Sequence, residues 1–447
     1  MSRPQTEAAY LASLRTAPVS GFTRRTLLRG AMGVSLAAMA PALAACSSGS
    51  TGGAAASASG EVTFGNNQAD PVPKAAIEAV AKAFSDANPG VTVKMNTVAH
   101  TTFQENINNY LQGSPDDTFS WFAGYRARFF ADRNLVGDLS DVYAATPGIP
   151  EGLKKACSTE DGRQIVMPAT YYPWVVLYRK SLWEQRGYTV PTTLDEFKAL
   201  GDKIKADGLN PLAMADKDGW EAMGTFDILN LRVNGYDYHI SLMNGEEDWT
   251  SDKVVQVFDT WRGLLPYHQP DALGRSWQEA AQSLQKGESA MYYLGTFAAQ
   301  QFEKGAEQDD LDFFAFPEVD SAIGQSAIEA PTDGYMMSRR PRNEAGAKKW
   351  LGYLGTAEAQ NVLVQADPSV VATSQEADES KYTGLQVKML NLLKEATDVS
   401  LFMDRDSRPD FASTVMGPAL QSFIRNPDDL SSILSSVEAQ KKSIFAS

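Results

Sequence analysis

The sequence contains few residues of the kinds that build disulfide frameworks and metal sites. Its 447 residues include only two cysteines, Cys46 and Cys157, and a disulfide-stabilised scaffold needs more of them at regular spacing. The three histidines, His100, His239 and His268, show no spacing typical of metal ligands. The Gly-x-Ser-x-Gly pattern of serine hydrolases is also missing. We therefore expect no metal site, no other cofactor and no serine nucleophile.

Positive charge is scarce beyond the N-terminus. Residues 1–45 hold five arginines and one glutamate, which leaves 35 basic and 54 acidic residues in the remainder and a net charge of −19 there. Such an acidic chain repels nucleic acid and anionic membrane surfaces, so we expect no nucleic-acid partner. With 43% hydrophobic residues, a chain of this length buries a large core, and its length favours two or three domains.

The first 60 residues have the features of a targeting segment. Arg24 and Arg25 precede a run of about fifteen mostly small apolar residues at 31–45, which is too short to span a bilayer and ends immediately before Cys46. The arrangement resembles a twin-arginine signal followed by a lipobox, in which cleavage precedes a cysteine that receives the lipid. Residues 46–60 are almost entirely Ser, Gly and Ala, a composition typical of a flexible tether.

We accordingly predict a signal peptide at 1–45 and lipid attachment at Cys46. The mature protein would then sit on the extracellular face of the cell membrane, anchored by its N-terminal lipid. The alternative is a buried N-terminal helix with an incidental cysteine, and Pro41 disfavours it. With Cys46 lipidated, Cys157 is left as a single thiol, which we expect in the core.

Strand and helix patterns alternate in the mature chain. The predicted order is a strand at 61–64, a polar loop at 65–70, a helix opened by Pro73, a strand at 91–95 and a second helix stopped by Gly113. The first helix has apolar residues at positions 77, 80, 81 and 84. Thr193 and Glu196 predict a capping box further along the chain. This order predicts α/β domains with a largely parallel sheet, and the lack of a second linker predicts two lobes joined by short segments.

Three segments are informative when taken together. They are A-V-A-K-A-F-S-D-A-N-P-G-V-T-V at 79–93, P-T-T-L-D-E-F at 191–197 and G-E-S-A-M-Y-Y-L-G-T-F at 287–297. In order and spacing the mature chain resembles the extracellular solute-binding proteins of carbohydrate ABC importers, the family that includes maltose-binding protein. The resemblance implies an α/β, two-lobe fold of the periplasmic-binding-protein type II, with the ligand in the cleft between the lobes.

The resemblance also implies where each lobe begins and ends. The expected segments are 61–168 and 331–372 for the N-lobe, and 169–330 and 373–447 for the C-lobe, with crossovers near 167–169, 331–334 and 371–374. A protein of this kind would be a monomer. Its partners would be a sugar or oligosaccharide ligand and the transmembrane permease subunits of an ABC transporter.

A sugar site needs aromatic rings for apolar C–H faces and fixed polar groups for hydroxyls. Candidates of both kinds lie in loops after predicted strands and at the expected crossovers, where open α/β sheets bind ligands. The candidate ligand-binding residues are Asn66, Asn67, Gln68, Trp121, Arg126, Tyr172, Trp220, Asp227, Gly295, Phe297, Asp333, Gly334, Arg405 and Arg408.

Several candidates have an equally ordinary structural interpretation. The amides at 66–68 fit a simple turn, Trp121 fits core packing, and the charged loop at 404–411 fits a solvated surface. The resemblance places 120–126 against the sugar, although the acid that the family has there is missing. It also places Phe297 where maltose-binding protein has a tryptophan, which keeps the ring and loses a donor.

Three clustered aromatics near the first crossover call for a choice. In an alternating strand Tyr171, Tyr172 and Trp174 do not all face one side, and we favour Tyr172 as the one in the cleft.

Two alternatives stay open at this stage. The same fold binds glycerophosphodiesters, polyamines or iron chelates in relatives of similar architecture, although mixed charge and many amides favour a neutral sugar. A secreted glycoside hydrolase needs only two opposed carboxylates in an aromatic-lined cleft. No acidic residue stands out in an apolar setting, so we expect a binding protein and no enzyme.

Overall fold

The computed structural model describes residues 58–446. The signal peptide, most of the tether and Cys46 lie outside the described residues. Across residues 58–446, no helix has both the length and the apolar character needed to cross a membrane.

Twelve strands form between residues 58 and 446. They are β1 (Gly60–Asn66), β2 (Val91–Thr97), β3 (Thr118–Phe122), β4 (Met167–Tyr171), β5 (Trp174–Arg179), β6 (Asn210–Ala213), β7 (Ser289–Gly295), β8 (Leu311–Phe314), β9 (Ala327–Glu329), β10 (Thr332–Met337), β11 (Val371–Ala372) and β12 (Asp398–Ser400).

The α-helices of the same range cover the sheets and close their edges. They are α1 (Pro71–Ala87), α2 (His100–Gln112), α3 (Tyr125–Asp132), α4 (Ser140–Tyr143), α5 (Glu151–Ala156), α6 (Lys180–Arg186), α7 (Leu194–Ala206), α8 (Glu221–Asn234), α9 (Tyr236–Met243), α10 (Asp252–Arg262), α11 (Trp277–Gln285), α12 (Ala306–Asp310), α13 (Glu344–Leu354), α14 (Ala357–Ala366), α15 (Gly384–Glu395), α16 (Met403–Asp406), α17 (Pro409–Phe411), α18 (Gly417–Arg425) and α19 (Leu430–Phe445). Short 3₁₀ turns lie at Leu265–Tyr267, Ala272–Gly274, Thr296–Gln301, Glu379–Lys381 and Pro427–Asp429, and a π-helical turn at Ala412–Met416.

Two sheets organise the molecule into two lobes. The N-lobe contains the six-stranded sheet, ordered β11-β4-β10-β3-β1-β2, with a hydrophobic core that includes Phe64, Phe84 and Trp350. The C-lobe contains the four-stranded sheet, ordered β6-β7-β5-β8, with a core that includes Trp249 and Trp261. Strands β9 and β12 form a separate parallel pair. The α/β class is confirmed.

The expectation of largely parallel sheets is wrong. Strand β1 runs parallel to β2 and β3, but β10 is antiparallel to β3 and β4, and β11 is antiparallel to β4. In the other sheet β5 is antiparallel to both β7 and β8. The reason is topological, since chain segments that return from the other lobe enter the six-stranded sheet against the direction of β1 and β3.

The local elements near the N-terminal end follow their sequence patterns closely. Helix α1 buries Ile77, Val80 and Phe84 of the predicted stripe, although it begins at Pro71, two residues early. Helix α2 ends before Gly113, as predicted. Strand β1 continues to Asn66, so the loop is shorter than expected, because Gly65 and Asn66 still pair with β2.

The predicted capping box at α7 is only half formed. The Thr193 side chain accepts a hydrogen bond from the backbone N–H of Glu196 at 3.2 Å. The Glu196 carboxylate instead accepts from the backbone N–H and hydroxyl of Thr192, each at 2.8 Å. The reciprocal bond has therefore moved one residue towards the N-terminus.

The chain passes between the two sheets at short connections. Only Tyr172 and Pro173 separate β4 of the N-lobe from β5 of the C-lobe, and residues 330–331 separate β9 from β10. The limits of the lobes along the chain stay a prediction.

Cys157 is a fully buried free thiol in the N-lobe core, which confirms its expected position. Burial raises the pKa of this thiol to about 12.

Candidate ligand-binding cleft

A cavity of about 390 Å³ lies between the two lobes. The N-lobe supplies Gln68 after β1, Phe122 at the end of β3 and Arg126 on α3. The C-lobe supplies Trp220 in front of α8 and Trp277 at the start of α11. Loops at the carboxyl ends of β1 and β3 thus face the C-lobe across a space of ligand size.

Aromatic rings form a continuous wall on the C-lobe side. The ring centroid of Phe297 lies 5.1 Å from that of Trp277, 5.6 Å from Tyr172 and 6.2 Å from Trp220. Trp174 stands edge-on to Trp220 at 6.2 Å. Trp220 and Phe297 are only partly buried, so these two rings keep surface available to a ligand.

Two glycines make room for this wall. A Cβ on Gly295 would lie 2.3 Å from Cε1 of Phe297, and a Cβ on Gly224 would lie 2.3 Å from Cζ3 of Trp174. Distances this short are incompatible with any side chain, so the ring positions depend on glycine at both sites.

Two ion pairs form the polar side of the cavity. Arg405 donates from Nη2 to Oδ1 of Asp333 at 2.9 Å and to the Tyr172 hydroxyl at 2.8 Å. The Tyr172 hydroxyl also donates to Asp333 Oδ1 at 2.7 Å. Arg126 pairs with Asp404 at 2.6 Å. Charge-assisted bonds of this kind fix the orientation of each group before a ligand arrives.

Both guanidinium groups stack on one ring. The Phe122 ring centroid lies 4.3 Å from Cζ of Arg126 and 4.6 Å from Cζ of Arg405. Burial opposes the charge of Arg405, but Tyr172 and Asp333 outweigh burial and raise its pKa. Burial lowers the pKa of Arg126. Since arginine titrates so far above neutrality, both groups stay charged at physiological pH.

Eight of the predicted ligand-binding residues line this cavity. They are Asn67, Gln68, Arg126, Tyr172, Trp220, Phe297, Asp333 and Arg405. They come from seven separate stretches of sequence, and their contact with a ligand remains a prediction.

Trp121 does not line the cavity. Its side chain is 2% exposed and packs against Phe130 and Phe103 in the N-lobe core. Neighbouring residues of a strand point to opposite faces, and in β3 it is Phe122 that faces the cleft. The expectation that Trp121 faces the ligand is therefore corrected, and core packing is its role.

Asp227 is also displaced from the cleft. It was expected in a loop, but α8 begins at Glu221 and carries Asp227 into the C-lobe core, where it is fully buried. One carboxylate oxygen accepts the backbone N–H of Met403 at 2.6 Å. Burial, followed by the nearby charge of Asp406, raises the pKa of Asp227.

The other four candidates lie beside the cavity without lining it. Asn66 is buried and bonds the backbone of Gln68 through both ends of its amide, which shapes the loop. Gly295 accommodates the Phe297 ring, as described above. A Cβ on Gly334 would lie 2.6 Å from the backbone oxygen of Met167, so this glycine allows close strand packing.

Arg408 is turned away from the cavity. It forms an ion pair with Asp410 at 2.8 Å and stacks over Phe445 at 5.7 Å. The Arg408 side chain is 16% exposed and that of Asp410 is 39% exposed, so this part of the charged loop is only partly solvated.

Several cavity residues were not predicted to bind the ligand. They include His100, Gln104, Trp277 and Phe402, while Phe122, Trp174 and Asp404 lie in segments that the sequence singled out but were not chosen themselves. Trp174 lines the cavity together with Tyr172, so the choice of a single ring there was too narrow. Trp277 follows Ser276, whose capping box with Glu279 marks a helix start and so indicates a residue at a helix N-terminus.

The described residues 58–446 hold no group of three or more His, Cys, Asp or Glu arranged to bind a metal ion.

Two α/β lobes with an aromatic and polar cleft between them define a type II solute-binding fold. The family model for bacterial extracellular solute-binding proteins matches residues 68–361, and the chain belongs to this family.

Individual relatives agree with this assignment. An uncharacterised ABC transporter extracellular-binding protein of Pyrococcus horikoshii is 27% identical over 65% of this chain and 66% of its own length. A probable sugar-binding periplasmic protein of Mesorhizobium japonicum is 29% identical over 46% of this chain and 51% of its own length. The chain thus spans between half and two-thirds of these relatives.

Among solved structures, the bacterial solute receptor AcbH is 42% identical and covers 86% of this chain and 99% of its own, with a TM-score of 0.84. That receptor is described as having an exclusive substrate preference for β-D-galactopyranose.

Proposed function

We propose that this protein is the receptor of an ABC importer, which binds a small neutral sugar outside the cell and presents it to the membrane permease without chemical change. The observation that carries the proposal is the cavity itself, with an aromatic wall on one side and fixed polar groups on the other. A pyranose has the complementary surface, since its C–H faces stack on rings and its hydroxyls accept and donate hydrogen bonds.

Different side chains are suited to stacking on the C–H faces of a sugar and to hydrogen bonding with its hydroxyls. Trp220 and Phe297 keep partly exposed rings for stacking. Asp333 and Arg405 hold each other in place and retain further hydrogen-bonding capacity towards the cavity. Groups that are fixed in advance lose little entropy on binding, which favours affinity.

The charge of the cavity supports an uncharged ligand. Its two arginines, Arg126 and Arg405, are both paired with aspartates of the protein. Asp70 and Asp218 also line it, so carboxylates outnumber cationic side chains among the described residues. A phosphate or a sugar acid would meet net repulsion. The glycerophosphodiester alternative is therefore disfavoured.

Cavity size supports a short ligand. A volume of about 390 Å³ lies near the lower end of the roughly 300–1,000 Å³ typical of ligand sites. A mono- or disaccharide fits this space better than a long oligosaccharide. Similarity to AcbH makes β-D-galactopyranose the first ligand to test.

The anchoring and assembly of the receptor belong to the same proposal. We take Cys46 as the lipidated residue and a monomer as the working form. We also keep the predicted lobe limits, with the first boundary moved from 168/169 to the end of β4, since Thr170 and Tyr171 pair with β10 and β11. Membrane fractionation tests the anchor: the wild type should sediment with membranes and Cys46→Ala should not. Mass spectrometry that finds residues 1–45 still attached would contradict it.

Isothermal titration calorimetry tests the ligand. We expect galactose to bind with a dissociation constant on the order of micromolar, about −8 kcal/mol, and to be recovered intact. Galacturonate and a glycerophosphodiester should bind far more weakly. Phe129→Ala, which removes a partly exposed ring away from the cavity, is the matched control for Trp220→Ala. Binding of the anions with no response to any neutral mono- or disaccharide would contradict the proposal.

A further inference from the structure

Two acidic side chains are buried directly behind the loop that carries Trp220. Asp216 is fully buried and Glu221 is 3% exposed. Asp216 starts the loop, Asp218 and Trp220 line the sugar cavity, and Glu221 begins α8. The pair therefore brackets the stretch of chain that presents an aromatic ring to the ligand.

Few hydrogen-bond donors are available to offset the cost of burying these two carboxyl groups. Asp216 Oδ1 accepts the backbone N–H of Ala222 at 3.0 Å. Asp216 Oδ2 and both Glu221 oxygens have no conventional hydrogen-bond partner. The two carboxyl groups lie close to each other, so that a proton on one of them can form a hydrogen bond to the other. The backbone N–H groups of Trp220 and of Glu221 itself act to lower the pKa of the Glu221 carboxyl, but burial outweighs them.

Surrounding elements supply little opposing charge. Strand β7 contributes the Tyr292 hydroxyl, which is buried and without a partner, and the loop itself contributes Asp218. Arg275 is the cation that acts on Tyr292, but its guanidinium donates to the backbone oxygens of Pro270 and Met214. Two adjacent carboxylates in such surroundings are too costly to keep ionised together, so at least one proton stays bound.

The direction of titration agrees with this geometry. Burial raises the pKa of Asp216 to about 7. Burial and then the charge of Asp216 raise the pKa of Glu221 well above its ordinary value. For the pair as a whole, the second ionisation is the unfavourable one.

We propose that Glu221 is a positioning residue for the sugar site, which keeps its proton, donates it to Asp216, and thereby holds the loop that presents Trp220 to the cavity. This inference rests on the proposed function for its ligand readout. The link to Trp220 is short, because Glu221 directly follows Trp220 in the chain and Asp216 accepts the backbone N–H of Ala222 in the first turn of α8. Gln421 also donates to the backbone oxygen of Asp216 at 2.7 Å, which fixes the other end of the loop.

Loss of the shared proton should loosen this arrangement. Two ionised carboxylates repel each other, and separating them displaces the backbone that carries Trp220. The folded state binds the proton more tightly than the unfolded state, so this contribution to stability is complete below about pH 4, the ordinary range of free carboxyls, and is lost as the pH rises through the folded pKa values. Ligand affinity should fall over the same range, by at most about tenfold per pH unit for one proton.

Glu221→Gln tests the proposal with a neutral side chain of the same shape that donates an N–H to Asp216. The experiment measures the galactose dissociation constant by calorimetry and the melting temperature of unliganded protein, both from pH 5 to pH 9. In the wild type both the affinity and the melting temperature should decline as the pH rises from 5 to 9, and the variant should give flatter profiles. Glu395→Gln, an exposed glutamate on α15, is the control and should follow the wild type.

Asp216→Asn gives an independent arm if Glu221→Gln fails to fold, because it also removes the second ionisation, and it should flatten both profiles. If the melting temperatures of variant and wild type depend on pH in the same way, Asp216 and Glu221 do not share a proton. If the pH dependence of the melting temperature differs between variant and wild type but that of the galactose affinity does not, Glu221 does not position the sugar site. A wild type that binds no tested sugar contradicts the proposed function instead, while the unliganded melting profiles still decide the state of the pair.

Discussion

Arg405 and Asp333 meet at the cavity wall with 2.9 Å between Nη2 and Oδ1. Asp333 belongs to β10 of the N-lobe sheet, whereas Arg405 lies on α16, whose residue Met403 is part of the C-lobe core. The ion pair therefore connects the two lobes at the site where we place the ligand. The Arg405 side chain is 8% exposed and that of Asp333 is 31% exposed, so the arginine depends more strongly on its partner.

Removing this carboxylate should destabilise the protein. In Asp333→Ala the buried guanidinium of Arg405 loses its carboxylate acceptor and keeps its hydrogen bond to the Tyr172 hydroxyl. We expect a loss of roughly 1–3 kcal/mol in the free energy of unfolding. The loss is smaller than for a fully buried pair because water reaches Asp333. Urea denaturation measures it. Glu379→Ala, which breaks an exposed pair with Lys394, should change little, and equal effects of the two substitutions would contradict our view of the pair.

Substitution of aromatic residues in the cavity should mainly reduce sugar affinity, whereas substitution of one in the core should mainly reduce stability. Trp220→Ala and Phe297→Ala should each weaken sugar binding by roughly 1–3 kcal/mol through lost stacking and apolar burial. Trp121→Ala should instead cost about 3–5 kcal/mol of stability, because it leaves a cavity in the N-lobe core. Calorimetry and urea denaturation on the same three variants give both quantities. If Trp121→Ala proved stable but unable to bind, our placement of that ring would be wrong.

A single added methyl group should disturb the aromatic wall. In Gly295→Ala the new Cβ would lie 2.3 Å from Cε1 of Phe297, so the ring must move. We expect affinity to fall by about tenfold or more, equivalent to at least ~1.4 kcal/mol. Gly274→Ala is the matched control, since nothing lies within 4 Å of its added Cβ. Unchanged affinity in Gly295→Ala would show that the Phe297 ring position is unimportant for binding.

A second buried acid predicts pH-dependent stability in the C-lobe. Glu329 is fully buried, accepts the Tyr293 hydroxyl at 3.1 Å, and is faced by Asp227, Asp406 and Arg405. Burial and then the charge of Asp227 raise its pKa. A raised pKa means that its favourable contribution is complete at acid pH and is lost as the pH rises through the folded value.

Glu329→Gln should therefore flatten the decline of the unfolding free energy as the pH rises above the ordinary carboxyl range, about pH 4.5. Urea titrations at several pH values measure this decline. The exposed Glu288→Gln should keep the wild-type slope. A Glu329→Gln protein whose stability falls as steeply as that of the wild type would show that Glu329 is ionised throughout.

Sequence patterns predicted elements better than they predicted which side chains face the ligand. Helix α1 and strand β1 follow from apolar spacing, which is local. Trp121 was misplaced because the facing of a strand residue depends on its neighbours in the sheet. Asp227 was misplaced because it lies within α8 and not in a loop, and every residue of that helix from Glu221 to Val233 is buried.

The polar side of the cavity was the part least accessible from sequence. The ion pair between Arg126 and Asp404 was not predicted, since 278 residues separate them along the chain. No local pattern encodes such a pair, because it forms only when the two lobes come together.

A crystal structure of the protein grown with β-D-galactopyranose tests the central claim most directly. The account predicts one intact sugar in the cavity between the lobes, with its ring stacked on Trp220 or Phe297 and its hydroxyls within hydrogen-bonding distance of Asp333 and Arg405. An empty cavity at saturating sugar, or a sugar bound elsewhere, would contradict it.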